Sequence, residues 1–336
     1  MKETLLGMTL DELRVAALSC GLKAFVGKQL AEWLYVKRVC SFDRMTNISR
    51  QARELLSEKY ELGTCAPAEV CVSADGTKKY LFDPGIEAVM IPDDDRKTLC
   101  VSSQAGCKMG CRFCMTGRQG WHGNLTAAQI LNQFLSVDEA AELTNTVFMG
   151  MGEPLDNYSA VSRAIEVLTA DWGFGWSPKR ITVSTIGVIP MLKRYLEEQK
   201  CHLAVSLHNP LAEERAEMMP GQKVWPVREV VDLIRKYDFS GQRRVSFEYT
   251  MFDGWNDDKA HADALIRMLR GLECRVNLIR FHRIPDFPYG TSPLARMEEF
   301  RDRLNNNGIL CTIRASRGED ILAACGLLAG KSSGRL

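Results

Sequence analysis

No stretch of the 336 residues approaches the ~18 consecutive apolar residues that a membrane-spanning helix requires. The N-terminus, MKETLLGMTLDELRVAALSC, carries acids and helix-capping residues where a secretory leader would carry its apolar centre. No membrane association and a cytoplasmic location are therefore expected. Net charge is also nearly missing, since 43 Lys and Arg against 42 Asp and Glu leave +1. Without a global basic field, any nucleic-acid binding must rest on local patches such as YVKRV, GQRRVSF and IRASRGED. A composition of 46% apolar and 25% charged residues excludes a disordered chain. The length suits one large core with roughly 60 to 100 residues left for an accessory domain.

Two further absences concern motifs. In FMGMGEPL, residues 148–155, Leu155 stands where GxGxxG would place its third glycine, so this is not a dinucleotide fingerprint. Cys107, Cys111 and Cys114 crowd into GCKMGCRFCMTGRQGW, residues 106–121, with no matching fourth ligand; His122 does not complete a familiar zinc spacing. Cysteine itself is plentiful, at twelve residues. In a long cytoplasmic chain these read as buried thiols, metal ligands or reactive groups rather than a disulfide framework.

Residues 1–65 read as a helical accessory domain. Thr9 and Glu12 are placed as a capping box, and apolar periodicity follows in LRVAALSCGL, KQLAEWLYV and RQARELLSEKY. Residues 66–92 form a β linker segment around an Asp75-Gly76 turn. From residue 93 to 336, about seven short strands alternate with helices of 10 to 15 residues, TAAQILNQFLSVDEA being the first such helix. This pattern implies right-handed βαβ units and a parallel sheet. The fold class is therefore α/β, an incomplete, open parallel β/α barrel with a small N-terminal helical domain. Function is expected on the loops at the C-terminal ends of its strands.

The cysteine run follows the first core strand, on that functional face. A cubane cluster held by three thiolates leaves one iron open to bind something else. Cys107-x3-Cys111-x2-Cys114 on the first strand-to-helix loop resembles the radical S-adenosylmethionine (SAM) superfamily. The resemblance implies a 4Fe-4S cluster whose open iron chelates SAM and whose electron cleaves it to a 5′-deoxyadenosyl radical. It also implies that Gly152 and Glu153 hold the methionine ammonium, with Ser184, Ser206, Leu207 and His208 as further cofactor contacts at strand ends. Taken alone, each of those last four reads as an ordinary strand-end residue.

The segments TLCVSSQAGCKMGCRFCMTGRQG, VFMGMGEPLDNY, RITVSTIGVIP, LAVSLHNP and RGEDILAACGLLAG together resemble the RlmN and Cfr group of RNA adenosine methyltransferases. By their own residues, Cys100 in an alternating strand and Cys325 in an Ala-rich helix read as core thiols. The resemblance gives them chemistry. Adenine C2 is an electron-poor carbon that cannot attack a sulfonium methyl group, so a radical route using two SAM molecules per turnover is implied. Cys325 takes a methyl group from the first SAM. The radical from the second activates that methyl for addition to the base. Cys100 removes the C2 proton and releases product as a disulfide with Cys325. Glu87 matches a proton acceptor of the group. His282 stands where many members carry Asn, and is retained as a cofactor contact because imidazole can bond a hydroxyl.

The implied partners are ribosomal and transfer RNA and an electron donor such as flavodoxin or ferredoxin, and a monomer is expected. The substrate adenosine must be extruded from a loop or locally unfolded RNA, with the helical domain and basic patches facing it. Three alternatives stay open: C8 methylation by the same group, a non-methylating radical enzyme, and a protein that only holds a cluster.

Overall fold

A computed structural model describes residues 2–239, 241 and 243–330; the last six residues of the expected 93–336 core lie outside the described residues. Thr9 and Glu12 close their capping box reciprocally and start α1 (Leu10–Ser19). Next come α2 (Phe25–Ala31), continued by a π-type turn over Glu32–Val36, and α3 (Arg50–Lys59), capped by Ser49. Leu13, Leu30 and Leu56 bury the facing stripes of the three helices. The unit is not purely helical, because β1 (Glu3–Thr4) pairs in parallel with β2 (Tyr60–Glu61) and so ties its two ends together.

The expected β linker is part of the core sheet. β3 (Glu69–Val72), β4 (Lys78–Phe82) and β5 (Ile86–Asp93) run antiparallel, and β5 pairs with β6 (Arg96–Cys100), the first core strand. β7 (Gln104–Gly106) and β8 (Trp121–Asn124) form a separate ladder that carries the cysteine loop between them. The parallel series continues through β9 (Asn145–Phe148), β10 (Ile181–Thr185), β11 (His202–Ser206), β12 (Val245–Met251), β13 (Arg275–Arg280) and β14 (Leu310–Ile313). The ten-stranded sheet runs β14-β13-β12-β11-β10-β9-β6-β5-β4-β3, and its two edges do not pair among the described residues. The barrel of parallel strands is therefore open, as expected. His202, Leu203, Ala204 and Val205 are all buried in succession, the pattern of a strand covered on both faces.

The intervening helices are α4 (Met115–Arg118), α5 (Ala127–Leu135), α6 (Tyr158–Thr169), α7 (Ile189–Glu198), α8 (Ala212–Met218), α9 (Val227–Ile234), α10 (Lys259–Leu269) and α11 (Leu294–Asn306). Two helix expectations are corrected. The helix expected to run through Ala140 stops at Leu135, and residues 137–142 form turns. The Ala-rich stretch around Cys325 is not helical: positive φ at Gly318, Leu322 and Gly326 breaks it into turns. No helix among the described residues is long and apolar enough to cross a membrane.

Candidate active site at the strand ends

The cysteine loop is closed at its base by Cys107 N–H donating to the Gly120 carbonyl at 2.8 Å. Within it, Cys114 N–H reaches the Cys111 carbonyl at 3.2 Å. All three thiols are half-buried against the core. Burial pushes Cys107 up to about 12 and raises Cys111 and Cys114 as well, with the other two thiols adding to the effect on Cys111. These thiols are protonated without metal, so loading must release protons. Three soft thiolates in one loop fit an iron-sulfur cluster. Among the described residues no three His, Cys, Asp or Glu side chains converge as a single ion needs, whereas a multi-iron cluster takes its ligands over a wider face.

Beside the loop, a recess of about 160 Å³ opens at the C-terminal strand ends, with Gly152, Glu153, Ser184, Ser206, His208 and Cys325 in its lining. Gly152 has φ +98°, and a Cβ there would sit 2.5 Å from Gln104 Cβ, so only glycine lets the turn approach. That approach lets Glu153 N–H donate to Gln104 Oε1 at 2.8 Å. The buried Glu153 carboxylate accepts from Leu155 N–H at 3.0 Å and Ile186 N–H at 2.9 Å. These donors are uncharged, and burial outweighs them to raise the carboxyl to about 7. The arrangement suits a carboxylate awaiting an ammonium group.

His208 accepts from Thr250 N–H at Nδ1, 2.9 Å, which assigns the ring proton to Nε2. Burial, then Arg215, lowers its pKa to about 3, so it is a neutral donor. Leu207 is fully buried and outside the recess lining. Its contribution is its backbone, whose carbonyl accepts from Arg215 Nε at 2.8 Å.

Cys100 ends β6, is buried, and accepts the Met149 N–H. Burial first, and neighbouring Cys325 second, push its thiol to about 12. Cys325 is solvent-accessible yet set in the recess, where desolvation raises its pKa and Arg314 opposes the rise. Both thiols are free, so the expected disulfide is not formed in this structure.

The turns that carry Cys325 are clamped from both sides. Met115 N–H donates to the Gly326 carbonyl at 2.8 Å and Thr116 Oγ1 to the Leu328 carbonyl at 2.7 Å. From the sheet extension, Ser73 donates to Asp320 at 2.6 Å and Gly318 N–H to Asp75 at 3.0 Å. Glu87, expected as a proton acceptor, is buried and lies outside the recess lining. Its carboxylate pairs with Lys79 at 3.0 Å and accepts from Ala329 and Gly330 N–H at 2.7 and 2.9 Å. These contacts make it an anchor for the Cys325 segment. His282 is likewise outside the lining: Nε2 meets Ser316 Oγ at 3.1 Å, and Nδ1 lies 3.2 Å from Glu319 but out of line for a hydrogen bond.

Residues 101–265 match the profile of the Radical SAM superfamily, and residues 4–62 that of the ribosomal RNA large subunit methyltransferase N-terminal domain. A protein named "Probable dual-specificity RNA methyltransferase RlmN" from Porphyromonas gingivalis is 62% identical over 331 residues, 97% of this chain and 94% of that protein. One of the same name from Parabacteroides distasonis is 58% identical, covering 97% and 96%. The crystal structure of a radical SAM methyltransferase from Sphaerobacter thermophilus superposes with TM-score 0.93 at 38% identity, over 98% of this chain and 100% of that one. The chain belongs to the RlmN family. It is a radical SAM RNA methyltransferase, and its cofactors are a 4Fe-4S cluster and SAM.

This RlmN-family barrel has a second opening. A hollow of about 340 Å³ lies at the N-terminal strand ends, lined there by Arg96, Lys179, Arg180, Arg244 and Arg275, and also by Arg314, just past the C-terminal end of β14, and by one carboxylate, Glu248. Met149 and Glu248 line both openings. Glu248 accepts from Ser246 Oγ at 2.9 Å and Asn277 Nδ2 at 2.8 Å, and lies 3.5 Å from Arg314. Sequence reasoning missed Glu248 and Met149. The signal for Glu248 was an acid inside the otherwise apolar strand RVSFEYTMF. Arg244 and Arg314 were visible only as members of two separate basic patches.

Proposed function

We propose that this enzyme methylates C2 of adenosine in 23S ribosomal RNA at the peptidyl-transferase centre and in transfer RNA beside the anticodon. A flavodoxin- or ferredoxin-type donor supplies the electrons, and the protein acts as a monomer in the cytoplasm. The observation that carries the reading is the folding of Cys325 against the cysteine loop and toward Cys100, although 210 residues separate it from Met115, to judge by Met115 N–H on the Gly326 carbonyl. When bound, the cluster and SAM supply the methyl group and the hydrogen-abstracting radical.

The chain's own residues do the rest. Cys107, Cys111 and Cys114 hold the cluster. Glu153 receives the SAM ammonium on a carboxylate already fixed by two backbone donors, and His208 presents Nε2–H to the same recess. Cys325 carries the methyl group to be transferred, so its thiol must lose a proton; Arg314 is the cation that favours that loss. Cys100 then takes the C2 proton on Sγ, again with Arg314 favouring the thiolate, while the adduct's unpaired electron would pass back to the redox partner. Once that proton has left, the Cys100 thiolate attacks Cys325 Sγ, so that the disulfide forms as the sulfur–carbon bond of the protein-RNA adduct breaks and the freed carbon takes up a proton as the product methyl group. The cationic mouth holds phosphates flanking the extruded base.

Mass spectrometry of the Cys325 peptide from cluster-loaded protein tests this, together with nucleoside analysis of treated RNA. One added methyl on Cys325 and 2-methyladenosine in the RNA are expected. An unmodified Cys325, or 8-methyladenosine as product, would overturn the reading.

A further inference from the structure

Arg215 on α8 is fully buried. Its guanidinium donates to the Leu207 and Ser206 carbonyls at 2.8 Å each, to Gln222 Oε1 at 2.6 Å, and to the Ile186 carbonyl at 3.5 Å. All four acceptors are neutral oxygens. They take up four of the five N–H groups but supply no negative charge, and a buried cation without a counter-ion is costly. Burial pulls Arg215 down to about 10, and the influence opposing that is Cys111.

The packing explains the proximity. Arg112 N–H, inside the cysteine loop, donates to the Met218 carbonyl at the end of α8, 2.9 Å away. A Cβ on Gly221, just beyond that helix, would lie 3.9 Å from Met109 Sδ of the same loop. The buried carboxylate nearby does not neutralise Arg215: Glu153 takes the N–H of Ile186 while Arg215 reaches its carbonyl. Two opposite buried charges thus face the loop separately, one suited to an ammonium and the other to an anion.

We propose that Arg215 is the fixed counter-charge of the three-thiolate cluster, a positioning residue that stabilises the loaded loop and makes the cluster easier to reduce. The inference rests on the cluster reading of Cys107, Cys111 and Cys114. Reduction adds one negative charge in a low-dielectric site, where a nearby fixed cation has its greatest effect.

The test is an EPR-monitored redox titration of cluster-loaded wild type, Arg215→Gln, Arg215→Lys and Gln222→Glu, with iron content measured alongside. Gln222→Glu leaves the guanidinium and its hydrogen bonds in place but gives it a private counter-ion 2.6 Å away. It therefore decides the question even if Arg215→Gln fails to fold. At fixed poise, Arg215→Gln is expected to lower the reduced-to-oxidised ratio about tenfold, equivalent to about 59 mV for a one-electron couple. Gln222→Glu should shift it the same way by less, and Arg215→Lys should retain most of the wild-type ratio. Iron-replete Gln222→Glu titrating with wild type would overturn the proposal and leave Arg215 as a cap on strand-end carbonyls. Wild type that binds no iron would instead overturn the cluster assignment itself.

Discussion

The two ends of this barrel share Met149 and Glu248 and differ in nearly everything else. At the C-terminal strand ends the thiols are pushed up by burial, His208 is neutral and Glu153 is poised near 7, with Arg215 and Arg314 as the cations close to them. At the N-terminal ends, five Lys and Arg side chains line an open hollow, and burial together with their field lowers His202 to about 4. The contrast follows from chemistry. Dry surroundings strengthen the few charges a radical reaction needs and exclude water, while a phosphate backbone is gripped by accessible, solvated cations. The barrel separates the two requirements, with Met149 and Glu248 lining both openings.

The largest expected break comes at the dry end. Cys111→Ala should abolish cluster iron and all RNA methylation, read by iron and sulfide analysis and nucleoside mass spectrometry. Cys100→Ala should leave Cys325 methylation intact but slow product release by about 10²- to 10⁴-fold, the range for loss of a positioned acid-base group. A covalent protein-RNA species on denaturing gels is the expected readout. Next in size is the clamp on the Cys325 segment. Glu87→Gln breaks a buried pair with Lys79 and should cost about 3 to 5 kcal/mol of stability, measured by denaturant unfolding. A proton acceptor in the reaction would instead lose turnover at unchanged stability.

Smaller effects belong to the cationic mouth. Arg244→Ala and Arg275→Ala should each weaken RNA binding and reduce the salt slope by about one, while SAM binding in the absence of RNA is unchanged. Smallest is the pH response of the recess. The ionised Glu153 is the form that holds an ammonium, and its carboxyl sits at about 7. SAM affinity, by calorimetry, should therefore fall as pH drops below about 7 and level off above it; Glu153→Gln should flatten the profile.

Much of this was legible before folding because it depends on local order. The Thr9-Glu12 box, the strand and helix alternation, and the spacing of Cys107, Cys111 and Cys114 are set by neighbours a few residues apart. The Cys325 segment was misread as a helix because Ala-rich propensity is a weak prior. Contacts from Asp75, Glu87 and Thr116, all distant in sequence, outweigh it. Residues 66–92 looked like a linker because pairing with Arg96–Cys100 is invisible without the sheet. Glu87 and His282 took their expected roles from the resemblance, and only the structure shows that Glu87 accepts from Ala329 and Gly330 and that His282 meets Ser316.

What the sequence determined by itself is the class of chemistry: an open α/β barrel, a three-thiol loop on its first strand end, and two further thiols in matching contexts. Only the tertiary structure decided which groups share a recess, which backbone groups the buried carboxylates of Glu87 and Glu153 accept from, and that the buried Arg215 forms no ion pair among the described residues. Those outcomes depend on burial and on distances between residues far apart in the chain, and both exist only once the sheet has assembled.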